Sequence, residues 1–245
     1  MTTSAEVDIA VTQLQGKSPQ EVLTWALDKF HPHVSLASSF GAEDVVLIDM
    51  MASIRPDACV FTLDTGRLPG ETYDVMSAIA KKYPQMQIKT MFPQTETVQN
   101  MVQEHGINLF YDSVENRKLC CQLRKVEPLN RALEGLQAWI TGLRRDQTNN
   151  RAEMQVVELD TARDLLKINP LIDWTNDQVW EYIRSHNVPY NALHDRNYPS
   201  IGCAPCTRAV APGEDLRAGR WWWEQNNQEC GLHVNAEGKL VRAKG

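Results

Sequence analysis

The sequence predicts an α/β fold, a mostly parallel twisted sheet flanked by helices, followed by an irregular, cysteine-containing C-terminal extension. Three observations predict it. Short apolar runs alternate with amphipathic segments of about a dozen residues, the pattern of βαβ crossovers. A serine- and glycine-bearing loop, Ser38–Asp44, joins the first such run to the next helix. From Asn197 onward prolines and glycines interrupt every apolar stretch, so that segment cannot build a core of its own.

The elements follow in order. Ser18-Pro19-Gln20-Glu21 is a capping box with proline at the first helical position, and Val22, Leu23, Ala26, Leu27 and Phe30 continue it at helical spacing. His33–Ala37 is short and apolar enough for a buried strand, and Val45–Met51 beyond the loop forms a helix. Ala58–Leu63 is the next strand, Glu71–Tyr83 a helix with Tyr73, Met76, Ile79, Ala80 and Tyr83 inward, and Met86–Met91 a third strand. Thr95–His105 is helical, and Ala138–Gly142 and Gln155–Leu159 are further strands. Thr175-Asn176-Asp177-Gln178 caps a last helix carrying Val179, Trp180, Tyr182 and Ile183. There is no internal repeat or linker, which gives one α/β nucleotide-binding domain over residues 1–200 and an extension over 201–245 lying across it.

Composition narrows the function. Hydrophobic residues make up 42% and charged residues 23% of the 245, near globular averages, which excludes disordered, collagen-like and coiled-coil chains. No hydrophobic run exceeds four residues (Val45–Ile48, Ala58–Phe61), far short of the roughly 20 that span a bilayer, so a soluble chain with no membrane partner is expected. The N-terminus MTTSAEVDIA has neither a basic nor an apolar signal region, so the expected location is cytoplasmic. A net charge of -6 argues against a nucleic-acid partner held by phosphate neutralisation.

Three constellations can carry chemistry. The loop Ser38–Asp44 stands where a doubly wound sheet places ligands, between a strand's carboxyl end and a helix N-terminus, and its hydroxyls and free N–H groups favour a phosphate or sulfate; capping of the helix by Ser38 or Ser39 is the plainer alternative. It lacks the Lys-Ser/Thr ending of a Walker loop. Cations gather at element ends, at Arg124-Lys125, Arg144-Arg145, Arg151, Arg217 and Arg220. An acidic chain with cations beside such a loop suits a small anionic ligand.

The six cysteines are the sharpest signal. Cys120-Cys121 and Cys203-Ala204-Pro205-Cys206 are two pairs that converge only if the extension folds back. By count they suit structural zinc or an iron-sulfur cluster, and the adjacency of the first pair favours a cluster. A thioredoxin-type reading of Cys203–Cys206 fails because that dithiol does not open a helix inside a βαβ unit. Cys59, between Ala58 and Val60 in a strand, is a small core hydrophobe. Cys230, alone in Glu229-Cys230-Gly231-Leu232-His233, is best explained as a nucleophile, with His233 one helical turn away.

Taken together, Ser38–Asp44, Leu63-Asp64-Thr65-Gly66, Cys120-Cys121 with Arg124-Lys125, Thr141-Gly142-Leu143-Arg144-Arg145, Pro170-Leu171-Ile172-Asp173-Trp174, Cys203–Cys206 and Glu229–His233 closely resemble the assimilatory adenylylsulfate reductases, from about residue 30 to 233. The resemblance implies an adenine nucleotide alpha hydrolase-like fold in which the serine loop is a modified pyrophosphate-binding loop. It implies a 4Fe-4S cluster on Cys120, Cys121, Cys203 and Cys206, and a catalytic Cys230 whose thiolate attacks the sulfur of adenosine 5'-phosphosulfate, expels AMP and carries an S-sulfo group until a separate thioredoxin, or a glutaredoxin, releases sulfite.

By the same resemblance Ser38, Ser39 and Gly41 line the nucleotide site, backbone near Leu63 and Gly142 meets adenine, and Lys125, Arg151, Arg217, Arg220 and His233 handle the phosphosulfate. Two alternatives stand. A 3'-phosphoadenylylsulfate reductase would be similar, but such proteins typically lack both cysteine pairs. A non-catalytic nucleotide-binding iron-sulfur or zinc redox sensor would not need Cys230.

Overall fold

The computed structural model of the protein describes residues 4–147 and 153–224. Its centre is a six-stranded sheet of order β3-β2-β1-β4-β6-β5, built from β1 (Val34–Ser38), β2 (Cys59–Leu63), β3 (Gln87–Met91), β4 (Ala138–Ile140), β5 (Val157–Asp160) and β6 (Leu165–Ile168). Five strands run parallel, and β5 closes the edge antiparallel to β6. Helices α1 (Ser4–Leu14), α2 (Pro19–Phe30), α3 (Ala42–Ile54), α4 (Gly70–Lys82), α5 (Thr95–His105), α6 (Val114–Cys121), α7 (Glu127–Leu133) and α8 (Asn176–Ser185) surround it. No described helix is long and apolar enough to cross a membrane.

The chain winds outward from β1 in both directions. β2 and β3 follow on one side and β4 and β6 on the other, with Leu36 paired to both Val60 and Ile140. Strand order therefore reverses between β1 and β4, and in an open parallel sheet a crevice forms there, outside the strands' carboxyl ends. The two segments leaving those ends are Ser39–Gly41 after β1 and Thr141-Gly142 after β4.

Packing fixes this frame. In α2 the Ser18 N–H donates to Glu21 Oε2 at 2.8 Å and the Glu21 N–H to Ser18 Oγ at 3.3 Å, so both orphan donors of the capping box are satisfied. α3 is buried nearly all round, with Val45, Val46, Leu47, Ile48, Met50 and Met51 at most 1% exposed, which is why its apolar pattern is a run rather than a stripe. Truncating any of them costs about 2–5 kcal/mol. The single carboxylate on its inner turns, Asp49, accepts from the Tyr83 and Tyr182 hydroxyls, and these bonds push both tyrosines up, after burial itself. They also tie α3 to α8.

Several elements differ from expectation. The strand predicted over Ala138–Gly142 ends at Ile140, because Thr141 and Gly142 turn out of the sheet into the crevice. The strand predicted over Gln155–Leu159 is Val157–Asp160, and β6 arises from only four residues after a turn through Asp164, whose φ is +53°. α6 carries no apolar stripe to betray it, burying Arg117 and Cys121 instead, and α7 is only seven residues long, with Leu129 and Leu133 inward. Between them Gln122–Val126 forms a π-helical turn that runs directly into α7, and Pro128 follows it there.

Residues 201–224 pack against the elements that precede them. The Ala204 N–H donates to Arg67 O at 2.8 Å, Tyr111 Oη to Pro205 O at 2.8 Å, and Trp223 Nε1 to Phe110 O at 3.1 Å. Within the segment Thr207 pairs antiparallel with Arg220, and the Trp221 N–H reaches Cys206 O at 3.3 Å. Cys203, Cys206 and Trp221 pack with Met101, Leu109 and Phe110 in a separate small core, so the α5–α6 region supplies the apolar surface that the segment lacks.

Candidate active site

A cleft of about 710 Å³ opens at the carboxyl ends of β1, β2 and β4, under the folded-back segment. Ser38, Ser39, Gly41, Leu63, Lys125, Gly142, Arg217 and Arg220 all line it. Arg151, Cys230 and His233 lie outside the described residues.

The crevice loop is tightly wound. Phe40 sits at φ +57°, its ring 1% exposed, and its N–H donates to Ser38 Oγ at 3.1 Å. Ser39 turns both its N–H and its hydroxyl to Asp44 Oδ2, at 2.5 and 2.8 Å. Asp44 is buried, and desolvation pushes its carboxyl up to about 6, with the donors of Ser39 and Gly41 pulling the other way and the Glu43 charge adding to the rise. The chain leaving β4 closes over it: a Cβ on Gly142 would stand 2.5 Å from Asp44 Oδ1 and 2.9 Å from Glu43 Cβ, so only glycine fits.

Two of the predicted cations are spent internally. Arg144 is buried and donates from Nε to Glu43 Oε1 at 2.9 Å, while Gln147 Nε2 reaches the same oxygen at 2.8 Å. Arg145 donates to Met154 O and pairs with Asp173. Arg144 thereby ties down Glu43 in the first turn of α3 at the cleft lining, and Arg145 is matched by Met154 and Asp173. Lys125, Arg217 and Arg220 also line the cleft.

Arg220 is held with care. Its guanidinium lies 4.9 Å from the Trp221 ring centroid, its Nη1 donates to Ser200 Oγ at 3.2 Å, and Gly202 passes directly beneath it. Its Nε is buried with no hydrogen-bond partner among the described residues. The other side of the contact continues: Arg117 stacks on Trp221 at 4.7 Å and makes a buried bidentate pair with Glu224, at 2.8 and 2.9 Å. Gly202, Trp221, Arg117 and Asp44 were assigned no role by the sequence; their partners are tertiary, and the only available signal was the Trp221–Trp223 run itself.

Beside the cleft all four paired cysteines, Cys120, Cys121, Cys203 and Cys206, line one narrow cavity of about 20 Å³ together with Arg67, Arg117, Arg124 and Lys125. They are free thiols. Burial pushes the Cys206 thiol up to about 12, the neighbouring Cys203 adds to this, and Lys125 and Arg220 oppose it. Burial likewise raises Cys120, against Arg124. Cys203 Sγ and Thr65 Oγ1 are 3.2 Å apart, within hydrogen-bond reach, and Arg124 donates to Thr65 O at 2.7 Å. Cys59 is apart from this group, half-buried in β2. Among the described residues no three His, Cys, Asp or Glu side chains are arranged to hold a single metal ion.

Lys125 and Cys203 line both the cleft and the cysteine cavity, so one cation and one thiol form the wall between them. Lys125 lies within the π-helical turn that follows Cys121.

Known proteins are similar to this chain over most of its length. Residues 33–209 match the phosphoadenosine phosphosulfate reductase domain. Proteins called adenosine 5'-phosphosulfate reductase from Burkholderia cepacia and Allochromatium vinosum are each 51% identical, over 83% and 82% of this chain and 82% and 78% of theirs. The one from Neisseria meningitidis serogroup A is 50% identical over 83% of this chain and 84% of its own. Among solved structures, phosphoadenylyl-sulfate reductase from Candida auris, a phosphate complex, superposes with a TM-score of 0.73 at 32% identity, covering 86% of this chain and 98% of that one. FMN adenylyltransferase from Candida glabrata superposes at 0.55 with 12% identity over 99% of this chain and 78% of its own, a likeness of fold alone.

Proposed function

The chain belongs to the phosphoadenosine phosphosulfate reductase domain family, and from that premise we propose that it reduces adenosine 5'-phosphosulfate to sulfite and AMP in sulfate assimilation. The observation that carries the reading is the shared wall: a cleft lined by Lys125, Arg217 and Arg220 among other residues abuts a pocket of four thiols through Lys125 and Cys203. The relatives near 50% identity bear the name of the enzyme for the substrate without a 3'-phosphate, which favours that substrate over its 3'-phosphorylated form.

In this reading the adenosine lies along the carboxyl ends of β2 and β4, against backbone near Leu63 and Gly142, with Ser38, Ser39 and Gly41 forming the floor. The phosphosulfate turns to the side where Lys125, Arg217 and Arg220 offset its charge, joined by Arg151 and His233. Fixed cations in a partly dry cleft stabilise the charge that develops on the leaving phosphate oxygen. The Cys230 thiolate attacks the sulfur: a bond forms from Sγ to sulfur, the sulfur–oxygen bond to phosphate breaks, and its electron pair leaves with AMP. A thiolate of reduced thioredoxin, or of a glutaredoxin, then attacks Cys230 Sγ and expels sulfite. The donor's second thiol resolves the mixed disulfide, leaving the donor oxidised by two electrons. The same reading puts the enzyme in the cytosol, where such donors are reduced.

We assign Cys120, Cys121, Cys203 and Cys206 as ligands of a 4Fe-4S cluster. All four cysteines line one cavity, and the adjacency of Cys120 and Cys121 favours a cluster over a single tetrahedral zinc. The cations Arg67, Arg117, Arg124 and Lys125 around the cavity suit four thiolates gathered there. When bound, the cluster supplies a compact negative charge beside Lys125.

The test is turnover. Purified without oxygen and given adenosine 5'-phosphosulfate with reduced thioredoxin, the protein should yield sulfite and AMP in equal amounts and contain iron. A colourless, zinc-loaded preparation would refute the cofactor assignment, and absence of sulfite from an iron-loaded one would refute the reaction.

A further inference from the structure

The backbone of Trp221 is strained. Its φ is +45°, in the left-handed region that a bulky L-residue rarely enters because its Cβ crowds the following carbonyl. Both flanks hold it there: the Trp221 N–H reaches Cys206 O at 3.3 Å, and the Trp221 carbonyl accepts the Glu224 N–H at 2.8 Å. The indole is 1% exposed, and two guanidinium groups lie over it, Arg220 at 4.9 Å and Arg117 at 4.7 Å from the ring centroid. These two cations differ in how they are compensated. Arg117 is matched by Glu224. Arg220, 7% exposed and lining the cleft, makes no ion pair among the described residues; Ser200 Oγ accepts its Nη1, and its Nε has no hydrogen-bond partner there. A buried cation without a counter-charge is costly until an anion reaches it. An indole face attracts such a cation without cancelling its charge.

We propose that Trp221 is the positioning residue of Arg220: the ring, fixed by a strained turn, holds the guanidinium at the cleft through its π face and leaves the charge for the anionic part of the ligand. A carboxylate in the same place would fix Arg220 and neutralise it. Arg144, the other buried arginine of the cleft lining, is held in that second way, by Glu43. Strain of this kind persists where the surrounding structure over-determines it, and it gathers at ligand clamps. Trp221 lines neither the cleft nor the cysteine cavity, so it acts through the group it holds. Its contribution therefore belongs to ligands that carry negative charge. The proposal rests on the reading of the cleft as the nucleotide site, but its test needs no turnover.

The experiment is calorimetric titration of the full chain, purified without oxygen, with AMP and separately with adenosine, comparing wild type with Trp221→Phe and Trp221→Leu after thermal melting confirms that each folds. AMP affinity should fall about threefold in Trp221→Phe, which keeps a ring, and about tenfold in Trp221→Leu, the larger factor corresponding to about 1.4 kcal/mol. Adenosine affinity should stay within about twofold of wild type in both, since adenosine brings no charge to Arg220. In an Arg220→Ala background Trp221→Leu should change AMP affinity by less than about twofold, because the group it holds is gone. A side chain that only fills space would weaken both ligands alike or neither, and its effect would add to that of Arg220→Ala; any of these results overturns the proposal. So does a loss of iron that tracks the loss of affinity, which would place the effect of Trp221 at the cysteine cavity. If Trp221→Leu fails to fold, Trp221→Phe decides by the same comparison. A wild type that binds AMP no more tightly than adenosine would refute the anion-site reading of the cleft itself, whereas a wild type that discriminates and a Trp221→Leu that discriminates equally would refute only the role of Trp221.

Discussion

Gly202 passes so close beneath the Arg220 guanidinium that a Cβ on it would stand 2.2 Å from Nη2 and 2.6 Å from Cζ. Gly202 is the residue before Cys203, and Arg220 the residue before Trp221, whose N–H bonds back to Cys206. One small knot of chain therefore sets both a cation at the cleft and two thiols at the neighbouring cavity.

The first prediction follows from that contact. Gly202→Ala must push the guanidinium out of its place on Trp221, and a lost hydrogen bond to a charged group is worth about 1.5–3 kcal/mol. Steady-state kinetics should show kcat/KM for adenosine 5'-phosphosulfate falling by about 10- to 100-fold. The loss should not add to that of Arg220→Ala, because both remove the same group. Full additivity would mean that Gly202 acts elsewhere.

Lys125 stands in the wall shared by the cleft and the cysteine cavity. Lys125→Ala should lower kcat/KM by about 100-fold, the scale of removing one fixed donor to a developing anion, while the melting temperature moves by only a few degrees. Unchanged kinetics would remove Lys125 from the site.

Gly142→Ala introduces a methyl group 2.5 Å from Asp44 Oδ1 and 2.9 Å from Glu43 Cβ, both part of the first turn of α3. Overpacking of this kind costs about 1–3 kcal/mol. Urea unfolding should show that loss, and AMP binding should weaken in parallel. A variant as stable as wild type would show that the β4 end can shift without cost.

Asp44 should leave a mark on the pH dependence of stability. Its carboxyl is raised from the ordinary 3.8 to about 6, chiefly by burial, with Glu43 nearby adding charge. The native state thus holds this proton more tightly than the unfolded chain. The stabilisation is fully present below about pH 4 and is lost as pH rises through 6, by up to about 3 kcal/mol. Asp44→Asn carries no proton to lose, so its stability relative to wild type should improve between pH 4.5 and 7.5 in urea titrations. Parallel pH curves would show that Asp44 does not titrate in that window.

Much of the frame was legible because parallel strands covered on both faces, such as Val34–Ser38 and Cys59–Leu63, read as unbroken apolar runs between helices. The crevice loop Ser38–Asp44 was legible too, since it is contiguous in the chain, whereas Thr141-Gly142 read as the end of a strand. What escaped is whatever joins distant positions. Arg144 looks like a free cation until Glu43, 101 residues earlier, is brought against it. Arg117 and Glu224 are 107 residues apart, and nothing near either one forecasts a buried pair. Helix α6 hid because its buried face is an arginine and a cysteine rather than an apolar stripe, and β6 hid because four residues are too few for a period to show.

The central claim is that a thiolate of this chain, Cys230, takes the sulfur from the nucleotide before any donor acts. The direct measurement is incubation with adenosine 5'-phosphosulfate carrying labelled sulfur, without thioredoxin, followed by quantification of AMP and mass mapping of the label. The account predicts one AMP released per active chain, label retained as an S-sulfo group on Cys230 and discharged as sulfite when reduced thioredoxin is added, and neither event in Cys230→Ser. Label found only on other cysteines, or AMP released by Cys230→Ser at the wild-type rate, would contradict it.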